Sequence, residues 1–186
     1  ARRVKQLINA LAAKGCSRQS RLAVLSRNCP EYLEVYGAAG LGGYVGLGLN
    51  YRLSAIEQIG ILHDADPAVF FFESEYLARV ETLRSQLPAQ TLFICLDQLA
   101  HPLDWALDYE TWLASAPVEP QAYRAHEDDT FLLIYTSGTT GLPKGCMHTH
   151  AGIMHNAVAS GLWGNASMET VTLMVVPMFH ITGMVS

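Results

Sequence analysis

Short, uniformly apolar runs recur along the first hundred residues, with helix-like stretches between them. Leu22-Ala23-Val24-Leu25, Tyr44–Leu49, Ala68-Val69-Phe70-Phe71-Phe72 and Thr91–Leu96 follow one another at about every 23 residues. A strand buried on both faces reads as continuous hydrophobicity; a strand with one wet face alternates. Four such runs separated by helices therefore predict an α/β fold, layered, with a largely parallel sheet and flanking helices. The intervening segments fit. Val4, Leu7, Ile8 and Leu11 form one apolar stripe of a helix that Gly15 can terminate. Asn28 and Pro30 mark a second helix start, Ser54 and Glu57 form a capping box for a third, and Tyr76, Val80, Leu83 and Leu87 space a fourth.

The pattern loosens from His101 to Gln121, where Pro102, Pro117 and Pro120 surround a short helix expected to carry Trp105, Tyr109, Trp112 and Leu113. Residues 101–126 thus read as a connector between an alternating part, 1–100, and a last part, 127–186, of one incomplete domain. The acidic run Glu127-Asp128-Asp129 reads as a solvated turn. Beyond it come a strand at Phe131–Tyr135, a helix striped by Ile153, Met154, Ala157, Val158 and Leu162, and a further strand expected at Val171–Val176.

Composition excludes several classes. Half of the 186 residues are hydrophobic, 16% are charged and the net charge is −5, which suits a globular domain and not a disordered one. Lysines and arginines are scattered, so no nucleic-acid surface is expected. The longest uncharged stretch, Val35–Leu49, holds fifteen residues including six glycines. A bilayer span needs about 20 apolar residues, so no membrane span is expected. Cys16, Cys29, Cys95 and Cys146 form no C-x-x-C pair, which points to a reducing compartment and a cytoplasmic location. Cys146, His148, His150 and His155 offer metal-ligand types within ten residues, but their spacing spreads them and no cysteine pair anchors them.

The chemistry concentrates in Tyr135-Thr136-Ser137-Gly138-Thr139-Thr140-Gly141-Leu142-Pro143-Lys144-Gly145, directly after an apolar strand. Glycine lets backbone N–H groups approach an anion, the hydroxyls add donors, and lysine adds a mobile charge. This suits a phosphate. It is not the common P-loop, because Lys144 follows Pro143 and precedes Gly145. The stretch resembles the signature phosphate loop of the adenylate-forming (AMP-binding) superfamily, which includes acyl-CoA synthetases. A second motif agrees: Pro177, Phe179, His180 and Gly183 match the family's Pro-aromatic-His…Gly segment. Leu49-Asn50-Tyr51-Arg52-Leu53 is similar to the family's helix-entry segment, with Tyr51 where proline is frequent.

The resemblance implies a two-step acid–thiol ligase. A carboxylate attacks the α-phosphate of ATP with Mg2+, giving acyl-adenylate and pyrophosphate; coenzyme A then displaces AMP. Thr136, Ser137, Gly138, Thr139, Thr140 and Gly141 would wrap the β- and γ-phosphates, Lys144 would sit near the departing pyrophosphate, and His180 would lie beside the acyl carboxylate and the pantetheine channel. Phe179 either lines the acyl pocket or packs in the core. The Thr149-His150 pair has a structural role at a helix start by the same resemblance. The family's later motifs, including its adenylation lysine, do not follow Gly183, so the chain is expected to be an N-terminal portion, inactive alone and prone to self-association through the surface this exposes. The partner implied is a small-molecule carboxylate. Two rival readings are a non-catalytic phosphate-binding or nucleotide-binding module and a metal-binding domain built on the Cys/His cluster.

Overall fold

The computed structural model describes residues 1–119, 122–136, 143–167, 169–171 and 173–185. Helix α1 (Arg2–Ala13) leads into β1 (Arg21–Leu25), then α2 (Pro30–Gly42), β2 (Val45–Gly48), α3 (Ala55–Ala65), β3 (Val69–Phe72), α4 (Leu77–Arg84) and β4 (Leu92–Cys95). A short strand β5 (Ala106–Asp108) and helix α5 (Tyr109–Ala114) precede β6 (Thr130–Thr136), β7 (Lys144–Thr149), α6 (His150–Trp163) and α7 (Thr182–Val185). One sheet collects all seven strands in the order β5-β4-β3-β1-β2-β6-β7. Among the described residues only the β6–β7 pair is antiparallel.

Each strand divides its apolar residues between two faces, because successive side chains point to opposite sides. Leu22, Val24, Val69, Phe71, Ile94 and Leu132 face α1, α2 and α5. Ala23, Leu25, Phe70, Phe72, Phe93 and Leu133 face α3 and α4. The result is a three-layer α/β sandwich, the architecture expected from the uninterrupted apolar runs. Leu7, Ile8 and Leu11 of α1 are fully buried, as their helical stripe requires. Gly15, at φ 86°, supplies the left-handed residue that ends this helix. The Ser54–Glu57 capping box forms with both of its reciprocal hydrogen bonds.

Four local expectations change. The 101–126 stretch contributes an edge strand, β5, whose Ala106, Leu107 and Asp108 pair with β4; the helix begins only at Tyr109, and Trp105 instead stacks on Phe72. Three residues are too short to show a periodicity. Leu87 lies beyond α4, which ends at Arg84. Asp129 is buried, paired with Arg18 at 3.0 Å and accepting from the His126 N–H, so only Glu127 and Asp128 form the solvated turn. Residues 171 and 173–176 form no strand: their apolar side chains, Val171, Leu173 and Val175, stand in solvent with no ladder partner among the described residues.

Candidate active site

The described ends of the Gly/Thr-rich motif, residues 135–136 and 144–145, lie on two antiparallel strands. Strand β6 runs parallel to β2 through Gly46 and Leu132, so it carries its exit to the same edge as the exits of β1 and β2. Strand β7 returns antiparallel with Tyr135 opposite Gly145 and Thr136 opposite Lys144. This strand was not expected, since Lys-Gly-Cys-Met-His-Thr has neither an apolar run nor clean alternation. Its pairing nevertheless brings the two ends of the motif together across one rung. Burial anchors the first arm: Leu132 and Leu133 enter opposite cores, and the Tyr135 hydroxyl donates to Asp64 on α3 at 2.5 Å. Partial burial and the Asp64 carboxylate push the Tyr135 phenol up, so it stays a neutral donor. Thr136 and Lys144 are exposed at the hairpin mouth. Ser137, Gly138, Thr139, Thr140 and Gly141 lie outside the described residues.

The second motif docks at the same edge. Met178 is buried, Phe179 is half-buried, and His180 is exposed at the end of the segment. The Asn28 side chain, in the turn leaving β1, donates to the Val176 carbonyl at 2.9 Å and accepts from the Met178 N–H at 2.8 Å. Tyr36, on α2, donates its hydroxyl to the Met178 carbonyl at 3.2 Å. At the end of β2, a Cβ on Gly48 would lie 2.7 Å from the Phe179 Cα and 2.5 Å from the Tyr32 hydroxyl. A side chain there would push the segment off the sheet.

Crossovers leave β1 toward one face, through α2, and leave β2 and β3 toward the other, through α3 and α4. Neighbouring exits that diverge in this way mark the carboxyl ends of the strands as the usual ligand position of such sheets. Tyr51, in the turn after β2, packs at this edge. Its ring meets Phe179 edge-on at 5.3 Å and Tyr76 in a stacked pair at 6.2 Å, beneath the guanidinium groups of Arg27 and Arg52. Phe179 thus packs against Tyr51. The Arg27 hydrogen bond to Glu75 holds that carboxyl below the usual range.

Hydrogen bonding at Nδ1 selects one tautomer of the neutral His180 ring. Its Nδ1 accepts from the Thr182 N–H at 3.2 Å and lies 3.1 Å from the Thr182 hydroxyl. A backbone N–H can only donate, so the proton of the neutral imidazole is on Nε2, which is left as a donor. The Thr149 hydroxyl caps α6 by accepting from the Gly152 N–H, and His150 stacks on Phe131 at 4.9 Å. Both have the structural role expected of them. Among the described residues no three of His, Cys, Asp and Glu converge as a metal site, and no helix is long and apolar enough to cross a membrane.

With the two motifs placed on one edge, the comparison with known proteins is decisive. The profile of the AMP-binding enzyme family matches residues 1–186. The chain belongs to this family. Its curated relatives include 4-hydroxybutyrate–CoA ligase 2 of Metallosphaera sedula, 33% identical over 92% of this chain and 32% of that protein. Indoleacetate–CoA ligase of Aromatoleum aromaticum is 34% identical over 97% of this chain and 35% of its own length. Among solved structures, the anthranilate CoA ligase AuaEII in complex with anthranoyl-AMP superposes with a TM-score of 0.77 at 27% identity, covering 88% of this chain and 30% of that one. The chain therefore spans about a third of the length of the family members it matches.

The contacts of Asn28 and Tyr36 with the His180 segment are not legible in the sequence. Asn28 beside Pro30 reads as a helix start, yet the residue that caps α2 is Cys29, without a side-chain bond. The partners of Asn28 lie 148 and 150 residues away, and no local spacing encodes such a contact.

Proposed function

We propose that this chain is the N-terminal portion of a carboxylate-activating ligase that binds the phosphates of ATP, forms an acyl-adenylate with release of pyrophosphate, and passes the acyl group to coenzyme A. The observation that carries the reading is the hairpin: it sets Thr136 and Lys144 on facing positions around the loop, at the sheet edge where His180 is presented. An exposed hydroxyl and an exposed ammonium at one loop mouth are the donor chemistry a polyphosphate requires, and among the described residues neither pairs with a carboxylate that would compete for it. The CoA ligases among the relatives and the anthranoyl-AMP held by a structural neighbour support the same reaction.

In this reading Thr136, Ser137, Gly138, Thr139, Thr140 and Gly141 enclose the β- and γ-phosphates, while Lys144 offsets the negative charge that builds on the leaving pyrophosphate. His180, through its Nε2–H, orients the acid so that one oxygen faces the α-phosphate. Mg2+ accompanies the ATP, its ligands coming from beyond these residues. Coenzyme A is the acceptor that the His180 segment favours, and a small carboxylic acid is the substrate. The four free thiols suit a cytoplasmic location.

Residues 1–186 are, on this account, one partial domain, and the groups that complete the reaction belong to the other two-thirds of the length seen in relatives. The chain alone is then expected to show no carboxylate-dependent ATP–pyrophosphate exchange, whereas the complete ligase shows it. Clear turnover by the isolated chain above a buffer blank contradicts the assignment. The apolar side chains exposed on α6 and around residues 171–175 are proposed to drive self-association of the isolated chain.

A further inference from the structure

We infer that Asn28 and Tyr36 are positioning residues for His180, an inference that rests on the reading of His180 as the group that orients the carboxylate. Residues 171 and 173–175 are exposed and irregular, and α6 before them buries no side chain. The segment is instead held from beneath. Asn28 grips residues 176 and 178 with a donor and an acceptor from one amide, as a neighbouring strand would, and so extends the pairing edge of β1 past its own end. Tyr36 satisfies the remaining polar group, the carbonyl of the buried Met178, with a hydroxyl that is itself shielded from water. Gly48 lets the Phe179 backbone settle onto the end of β2.

Three elements thus fix three backbone positions immediately before His180. From there the turn closes on itself: the His180 N–H donates to the Pro177 carbonyl at 3.1 Å, and the Gly183 N–H donates to the His180 carbonyl at 2.9 Å. The imidazole is consequently aimed by groups that never touch it. Asn28 is suited to the task because its amide carries a donor and an acceptor side by side on one short planar group; aspartate would keep the Met178 contact but set a carboxylate against the Val176 carbonyl. Misplacing a binding group by about 1 Å can cost on the order of a hundredfold in rate.

The test is a double-mutant cycle in the complete ligase, reading kcat/KM for the carboxylate, KM for ATP and thermal stability. Asn28→Ala is expected to lower kcat/KM for the carboxylate by roughly ten- to a hundredfold, with KM for ATP within about twofold of its original value. In a His180→Ala background the same change is expected to cost less than about threefold, because the group it aims is gone. Tyr36→Phe, which keeps the buried ring, is the milder second arm and should show the same coupling if Asn28→Ala fails to fold. Equal losses with and without His180, or a parallel rise in KM for ATP, overturn the inference and leave Asn28 and Tyr36 as packing groups. If His180→Ala alone changes nothing, the role of His180 fails first, and the inference falls with it in a recognisably different way.

Discussion

The two ends of this sheet are built differently. Around β1, β3 and β4 every layer is present: Leu22, Val24, Phe70, Phe71, Phe72 and Ile94 are wholly shielded, with helices on both faces. Around β7 and α6 the layers are incomplete. Strand β7 is mostly exposed, α6 buries none of its described side chains, and nine of the twelve large hydrophobic residues exposed among the described residues lie between Met147 and Val175. The first region is stabilised by burial within these 186 residues. The second presents apolar surface as if for a neighbour, and it is the region that carries the phosphate-loop hairpin and leads to His180. One end is closed by packing on both faces, and the other carries the two ends of the Gly/Thr-rich motif on an open hairpin.

The comparison breaks most easily at the first region. Phe71→Ala should destabilise the chain by about 3–5 kcal/mol, since a fully buried phenyl group against Tyr109 is lost and a cavity remains. Chemical denaturation checks this; a loss below about 1 kcal/mol would show that the core is less complete than its burial implies.

A smaller effect is expected in association. The exposed α6 face and the open edge of β7 should make the isolated chain associate with rising concentration, and Leu162→Asp should weaken that association by at least about tenfold. Light scattering that finds a monomer at every concentration contradicts the claim. Smallest of all is the effect of Trp163→Ala on the unfolding free energy of the monomer, expected within about 0.5 kcal/mol because the ring is 92% exposed. A loss of several kcal/mol would mean that the second region contributes to the core after all.

The same division explains what the sequence made legible. Elements of the first region announced themselves through apolar runs and helical stripes, because burial on two faces dictates the residue type at every position. The Ser54–Glu57 cap was readable because both of its partners lie within four residues. Strand β7 was hidden, since an edge strand of Lys, Gly, Cys and His has no hydrophobic reason to be one. The run at 171 and 173–176 reads as a strand for the opposite reason: it has β-forming residues but no neighbour to pair with among the described residues. At the site, Thr136, Lys144 and His180 stood out through motif resemblance, whereas the Asn28 and Tyr36 contacts are long-range products of the fold.

The central claim is that the 136–144 hairpin serves the ATP phosphates, and Lys144→Ala in the complete ligase tests it most directly. Removing one charge-assisted contact of about 1.5–3 kcal/mol should slow carboxylate-dependent ATP–pyrophosphate exchange by roughly ten- to a hundredfold. Thioester formation from preformed acyl-adenylate should be almost unchanged, because pyrophosphate has already left. An intact exchange rate with an impaired thioester step would place Lys144 with the acceptor and not with ATP, and would contradict the account.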